Sequence, residues 1–143
     1  VARILREYDL PPARLVLEIT ETTIMGDARV AARQLEDLKA LGVGLSIDDF
    51  GTGYSSLSYL EFFPLSSLKV DRSFVARIEE RQAIVRAIVS LGHALGLALN
   101  AEGIETEGQL AILRALGCEI GQGFLFSKPV CAQDAENLLQ KSF

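Results

Sequence analysis

The sequence is poor in the residues that build thiolate metal sites and disulfide frameworks. Its 143 residues include two cysteines and one histidine. Cys118 and Cys131 do not lie in a paired metal-ligand spacing. We therefore expect both thiols to be reduced, with Cys118 a small buried residue and Cys131 exposed. His93 falls within a helical pattern, and we expect it to be an ordinary helical or packing histidine.

Long apolar runs and an excess of positive charge are also missing. No run approaches the ~20 apolar residues that are needed to cross a bilayer, and no signal-peptide pattern opens the chain. Fourteen Lys and Arg residues against nineteen Asp and Glu residues leave a net charge of -5. This balance argues against DNA or RNA binding, which requires cations that neutralise phosphates.

What the sequence contains is a regular alternation of strands and helices. Hydrophobic residues make up 49% of the chain and charged residues 23%, which is typical of one globular domain, here residues 1–143. The strand-like runs are Leu15–Thr20, Val43–Asp48, Ser67–Asp71, Leu97–Glu102 and Glu119–Leu125. Helical patterns cover Val1–Tyr8, Asp27–Leu41, a short stretch from Ser55 or Ser56 to Pro64, Arg81–Leu95, Thr106–Gly117 and Ala132–Lys141. Strands that are separated by helices predict a parallel sheet in an α/β fold.

The first four strand runs each have one aliphatic face and one small or polar face that ends in a carboxylate. The four acids at these ends are Glu18, Asp48, Asp71 and Glu102. A doubly wound sheet is apolar on both faces, whereas a TIM-type barrel gathers polar residues at the carboxyl ends of its strands. Carboxylates that meet there repel one another unless cations hold them, which indicates Mg²⁺ or Mn²⁺. The alternative is that each acid caps the helix that follows it.

The chain is too short for a closed barrel. Five β/α units fill it, whereas a (β/α)8 barrel needs eight units and ~250 residues. The helix that begins at Val1 has no residue before it that could cap it. We therefore expect the chain to supply about five C-terminal units of a barrel whose first units lie upstream.

Five motifs resemble those of the EAL-domain phosphodiesterases, which hydrolyse the bacterial messenger cyclic di-GMP. They are Leu17–Glu21 (E-x-T-E), Asp48–Leu57 (D-D-F-G-T-G-Y-S-S-L), Leu68–Asp71 (L-K-[IV]-D), Ala101–Thr106 (A-E-G-[VI]-E-T) and Gly121–Phe124 (G-Q-G-[YF]). The motifs occur in the family's order but cover only the C-terminal part of the family domain. The Glu-Ala-Leu motif and an Asn metal ligand of the family belong upstream of Val1.

The resemblance implies a site for two Mg²⁺ or Mn²⁺ ions. Glu18 and Asp48 would be metal ligands, with Asp48 shared between the ions, and Asp49 would hold the second ion. Strict alternation would point Asp48 and Asp49 to opposite faces of their strand. Both reach the site only if the backbone leaves strand geometry there, which Gly51 and Gly53 permit.

The resemblance also assigns catalytic residues. Lys69 would act on the nucleophilic water or clamp the phosphate, with a pKa that neighbouring cations lower. The alternative for Lys69 is that it only satisfies buried carboxylates. Glu102 would hold the metal site or the water, and Asp71 would orient Lys69 or a water in the substrate site. Gln122 would hydrogen-bond the substrate.

Loop residues complete the implied site. Glu21 and Glu105 would anchor the loops at the mouth of the barrel. Gly51, Thr52 and Gly53 would form a mobile loop that positions Asp49. Gly51 and Gly53 alone are weak evidence for a phosphate-binding loop, because the segment lacks the lysine and the spacing of a P-loop.

Three functions remain open from the sequence. The first is a metal-dependent phosphodiesterase that converts cyclic di-GMP to linear pGpG in the intact domain. The second is an EAL-like module that binds the nucleotide or mediates dimerisation without turnover. The third is an inactive fragment that self-associates as a homodimer or larger species through open sheet edges. The family implies a cytoplasmic location, either as a free protein or as the cytoplasmic part of a membrane-bound signalling protein.

Overall fold

A computed structural model describes residues 1–20, 28–51, 60 and 62–138. Its centre is one five-stranded parallel sheet with the strands in chain order. The strands are β1 (Val16–Thr20), β2 (Gly44–Phe50), β3 (Ser67–Val70), β4 (Ala98–Glu102) and β5 (Ile120–Gln122). The predicted parallel α/β architecture is therefore confirmed. The fifth strand is shorter than expected, because the chain turns away from the sheet at Gly123.

Helices connect these strands. They are α1 (Ala2–Glu7), α2 (Ala28–Ala40), α3 (Arg72–Val75), α4 (Gln82–Ala94), α5 (Glu107–Leu116) and α6 (Ala132–Leu138), and a 3-10 turn covers Pro12–Arg14. The one-turn helix α3 was not predicted. The short helix expected from Ser55 or Ser56 falls outside the described residues. Within the described part of the chain, every helix is too short or too polar to traverse a bilayer.

The core lies between the helices and one face of the sheet. A row of aligned side chains crosses four strands, and its members are Ile19, Ile47, Leu68 and Leu99. Leu68 and Leu99 are completely buried, and each stabilises the fold by about 1.5–3 kcal/mol. Because strand side chains alternate, the residues one position further along face the other side of the sheet. That position carries Lys69 on β3, and this side of the sheet holds the candidate site.

Helix α5 has the ends that the sequence predicts. The Thr106 side chain accepts a hydrogen bond from the Gln109 amide, and the Gln109 side chain accepts from the Thr106 amide in return. Gly117 closes the helix in the left-handed conformation, with φ of 88°. This capping box fixes where the chain leaves β4 and enters α5.

The end of β5 is held by a close backbone approach. Ile104 donates its amide to the Gln122 carbonyl at 3.1 Å and accepts from the Leu125 amide at 3.0 Å. A Cβ atom on Gly123 would lie 2.1 Å from the Ile104 carbonyl oxygen, which is far inside contact distance. Glycine is therefore required at this position, and the loop after Glu102 is tied to β5.

Candidate active site

Three carboxylates from three strands meet at one lysine. The Lys69 Nζ atom lies 2.7 Å from Glu18 Oε2, 3.1 Å from Asp48 Oδ1 and 2.7 Å from Glu102 Oε1. The four residues come from β1, β2, β3 and β4. Because these strands are parallel and neighbouring, the carboxylates lie near a common edge of the sheet. The convergence that the sequence predicts is confirmed for Glu18, Asp48 and Glu102.

Lys69 is buried while its partners reach solvent to different degrees. Its side chain is 5% exposed, compared with 51% for Glu18, 23% for Asp48 and 20% for Glu102. Burial by itself lowers the pKa of Lys69, but the hydrogen bonds to Glu102, Glu18 and Asp48 outweigh it and raise the pKa above its ordinary value. The neighbouring carboxylates therefore favour the charged ammonium of Lys69. The lowered pKa that the family resemblance implies depends on neighbouring cations and stays a prediction.

The Lys69 ammonium supplies a positive charge between the three crowded carboxylates. Such crowding in the sequence predicts divalent cations, but in this structure the charge of Lys69 holds the three carboxylates together. In the described part of the chain, no three acidic, histidine or cysteine side chains form a group that could hold a metal as they stand. The alternative that Lys69 satisfies buried carboxylates therefore describes this structure. Each carboxylate still uses only one of its two oxygens for its contact with Lys69.

An irregularity in β2 places two adjacent aspartates opposite Lys69. The flanking pairs are Ile47 with Leu68 and Phe50 with Val70, so two β2 residues oppose one β3 residue. This is the two-against-one count of a β-bulge. Asp49 adopts a positive φ of 56°, and its amide donates to Asp48 Oδ1 at 3.0 Å. The predicted departure from strand geometry is confirmed, although it occurs at Asp49 itself and not only at Gly51, whose φ is 87°.

Asp71 does not join the carboxylates around Lys69. Its Oδ1 atom accepts from the Ser73 amide at 2.9 Å and also from the Ser73 hydroxyl, so the side chain caps α3. Burial raises the pKa of Asp71, but the Ser73 hydrogen bonds outweigh it and hold the pKa below its ordinary value. The prediction that Asp71 orients Lys69 is wrong, because Asp71 caps a helix instead, which is the alternative raised from the sequence. The prediction that Asp71 orients a water in the substrate site stays a prediction.

The remaining predicted site residues are spread over the surrounding loops. Glu105 follows β4, and its amide donates to the Gln109 side chain at 2.7 Å, so the turn after Glu102 is fixed from α5. Gly51 lies directly after β2 and is exposed. The residues expected to anchor or move the other loops, namely Glu21, Thr52 and Gly53, lie outside the described residues.

Gln122 lies beside Glu102 and lines a cavity. The two residues are register partners on β5 and β4. A cavity of about 620 Å³ runs along β5 and is also lined by Asn100. The Asn100 Oδ1 atom is buried and has no hydrogen-bond partner among the described residues. Gln122 therefore lies next to Glu102 on the neighbouring strand and at the wall of this cavity.

Two features of the site region were missed by sequence reasoning. The single sequence signal for helix α3 is that Asp71 is a preferred N-cap residue, because the helix has only four residues. The pair of His93 and Glu119, whose Nε2 and Oε1 atoms are 3.0 Å apart, could not be found, since no sequence pattern joins residues of two separate elements. His93 lies on helix α4, as the sequence predicts, and its exposed ring has an acidic partner that the sequence does not show.

Comparison with known proteins identifies the family and the fold. The profile described as EAL domain matches residues 1–129. The bifunctional diguanylate cyclase/cyclic di-GMP phosphodiesterase MucR of Pseudomonas aeruginosa is 51% identical over 136 residues, which cover 93% of this chain and 20% of MucR. The solved structure of the MucR phosphodiesterase in complex with cyclic di-GMP superposes with a TM-score of 0.89 at 49% identity, covering 93% of this chain and 55% of that one.

A second relative was solved with a metal. The Klebsiella pneumoniae BlrP1 complex with manganese and cyclic di-GMP superposes with a TM-score of 0.82 at 37% identity, covering 90% of this chain and 33% of that one. The chain therefore spans about a fifth of MucR itself and about half of its solved phosphodiesterase. The predicted fold is confirmed, since the five parallel units are part of a TIM-type barrel.

Proposed function

Because the chain belongs to the EAL domain family, we propose that it forms the C-terminal part of a metal-dependent cyclic di-GMP phosphodiesterase. The observation that carries the proposal is the meeting of Glu18, Asp48 and Glu102 around buried Lys69. The substrate is an anionic phosphodiester, and water attacks such a group slowly unless its charge is neutralised. The product is the linear dinucleotide pGpG.

The donor set fits two hard divalent ions, Mg²⁺ or Mn²⁺. Glu18, Asp48 and Asp49 offer carboxylate oxygens, which these ions prefer. The β2 bulge supports this assignment, because it brings Asp49 to the same register position as Asp48. Bound ions would neutralise the phosphate charge and lower the pKa of the attacking water.

The chain's own residues then have distinct tasks. The Lys69 ammonium contacts three carboxylates, so we assign it to hold them in place and to clamp a phosphate oxygen. Glu102, at 2.7 Å from Lys69, is the carboxylate that takes a proton from the water. The water oxygen bonds to phosphorus, the bond from phosphorus to the 3′ oxygen breaks, and Glu102 passes the proton that it took from the water to that leaving oxygen. Gln122, the register partner of Glu102, holds the substrate.

The proposal is tested in the intact domain, meaning this chain together with the rest of its EAL domain. Glu18→Ala and Asp48→Ala should each abolish Mg²⁺- or Mn²⁺-dependent formation of pGpG, followed by chromatography. Glu80→Ala changes an exposed glutamate before α4 and serves as the matched control with unchanged rate. Full activity in either of the first two variants would remove the assignment of metal ligands.

A second candidate function is binding of cyclic di-GMP without hydrolysis. The observation that favours it is that Lys69 already neutralises the acids from the centre of the cluster. A regulatory EAL module needs only such a stable site and no reactive water. Calorimetry that shows cyclic di-GMP binding to the intact domain, with no pGpG formed in Mg²⁺ or Mn²⁺, would favour this function.

We also propose a cytoplasmic location and self-association. Both cysteines are free, with Cys131 exposed, as is usual in a reducing compartment. The end strands β1 and β5 carry exposed Val16 and Ile120, and such edges favour pairing with another chain. Sedimentation should show the isolated 143-residue chain as a dimer or larger species, and a monodisperse monomer would contradict this.

A further inference from the structure

Glu119 joins three elements immediately before β5. Its Oε1 atom lies 3.0 Å from Nε2 of His93 on α4, and its Oε2 atom accepts from the Leu99 amide on β4 at 2.9 Å. Cys118, next to it in the chain, directs its thiol to the Leu99 carbonyl at 3.4 Å. Two consecutive side chains thus occupy both backbone polar groups of Leu99.

Glu119 lies where strand β5 begins to pair with β4. The β4–β5 ladder begins one residue later, with Asn100 opposite Ile120. The Glu119 carboxylate therefore takes the place of a backbone acceptor and starts the pairing from a side chain. The hydrogen bond from Leu99 holds the pKa of Glu119 below its ordinary value, with a further contribution from His93, so the acceptor is charged.

Strand β5 is short and exposed, so the contacts at its two ends contribute strongly to its register. It has three residues and all of them are exposed. At the far end of β5 the Ile104 amide donates a hydrogen bond to the Gln122 carbonyl at 3.1 Å. A slip of one residue would turn every β5 side chain to the other face of the sheet. Gln122 would then no longer lie on the face that carries Glu102.

We propose that Glu119 is a positioning residue that sets the register of β5 on β4 and so keeps Gln122 opposite Glu102. The inference rests on the proposed function, because it takes Gln122 as the residue that holds cyclic di-GMP. His93 is the helix-side support of the Glu119 carboxylate. Neither Glu119 nor His93 touches the substrate in this scheme.

A double-mutant cycle in the intact domain tests the proposal. Glu119→Leu removes both acceptors, and we expect KM for cyclic di-GMP to rise by roughly tenfold, with kcat changed less than about twofold. Glu119→Gln keeps an acceptor for the Leu99 amide and should restore most of the loss. In a Gln122→Ala background, Glu119→Leu should add less than about a twofold change, because the positioned group is already absent. Glu80→Leu is the matched control and should leave KM unchanged.

Two results would overturn the proposal that Glu119 positions Gln122. An unchanged KM in Glu119→Leu would overturn the proposal. So would a full additional rise in KM in the Gln122→Ala background, because it would show a role that is independent of Gln122. If Glu119→Leu does not fold, Glu119→Asp, one methylene shorter, takes its place in the same cycle with the same expected pattern.

A readout without substrate separates this inference from the proposed function. Hydrogen exchange of the Ile104 amide reports on its bond to the Gln122 carbonyl. Glu119→Leu should accelerate this exchange at least about tenfold, whereas Glu80→Leu should not. Accelerated exchange in a domain that neither binds nor hydrolyses cyclic di-GMP would support the positioning role and reject the proposed function. Unchanged exchange would reject the positioning role, whatever the domain does to the nucleotide.

Discussion

Replacing Lys69 by methionine tests how the site is held together. The substitution keeps an unbranched side chain of similar length but removes the ammonium that three carboxylates contact. Glu18, Asp48 and Glu102 would then repel one another with no positive charge between them. We expect the intact domain to lose stability in the absence of metal.

The magnitude follows from the burial of the four side chains. Removing one partner of a fully buried ion pair costs about 3–5 kcal/mol. Glu18 is half exposed and the other two acids are about a fifth exposed, so solvent relieves part of the repulsion. The lower end of the range, about 3 kcal/mol, is therefore expected. For a domain of this size this corresponds to a fall in Tm of about 10 °C.

The assay is thermal or urea unfolding in chelator and again in millimolar Mg²⁺. Because the freed carboxylates form a site for a hard cation, Mg²⁺ should restore part of the stability of Lys69→Met. Lys128→Met, which changes an exposed lysine, should alter stability by less than about 1 kcal/mol. A Lys69→Met domain that is as stable as wild type in chelator and indifferent to Mg²⁺ would refute the reasoning.

Three further predictions concern the frame of the site. Gly123→Ala should destabilise the domain by roughly 3 kcal/mol or more in urea unfolding, since its Cβ would meet the Ile104 carbonyl oxygen at 2.1 Å. Gly96→Ala is the control: its Cβ would meet nothing within 4 Å, so it should destabilise the domain by only about 1 kcal/mol. Thr106→Ala should cost about 1 kcal/mol through loss of the capping box, and Thr106→Ser should restore it. The pKa of Asp71 lies below its ordinary 3.8, so its stabilisation is complete above that pH and disappears as the pH falls through the lower folded-state pKa. Asp71→Asn should flatten the acid side of the stability profile, below the ordinary pKa of 3.8, and an unchanged profile would contradict the capping role.

Patterns within single elements made the fold predictable. The alternation of aliphatic and polar residues located four of the five strands to within a residue or two. Because parallel strands align their carboxyl ends, the same alternation predicted that Glu18, Asp48 and Glu102 would converge. The capping box of α5 was visible because Thr106 and Gln109 are three residues apart, within one local structure.

What the sequence could not show depends on contacts between elements. Asp71 caps a helix of only four residues, which is too short to show a hydrophobic periodicity. The sequence therefore could not decide between a capping role and a site role for Asp71. The raised pKa of Lys69 depends on three partners that come from three strands. The place of the β2 bulge is set by the pairing of Phe50 with Val70, which no pattern in β2 alone specifies.

Titration of the intact domain with Mn²⁺, followed by electron paramagnetic resonance of the free ion, tests the central claim most directly. We predict that the wild-type domain removes Mn²⁺ from solution at two sites without substrate present. Asp48→Asn should weaken both sites, because this residue is assigned to both ions, whereas Glu80→Gln should weaken neither. Mn²⁺ binding that is the same in wild type and Asp48→Asn would contradict the claim that these acids form a metal centre.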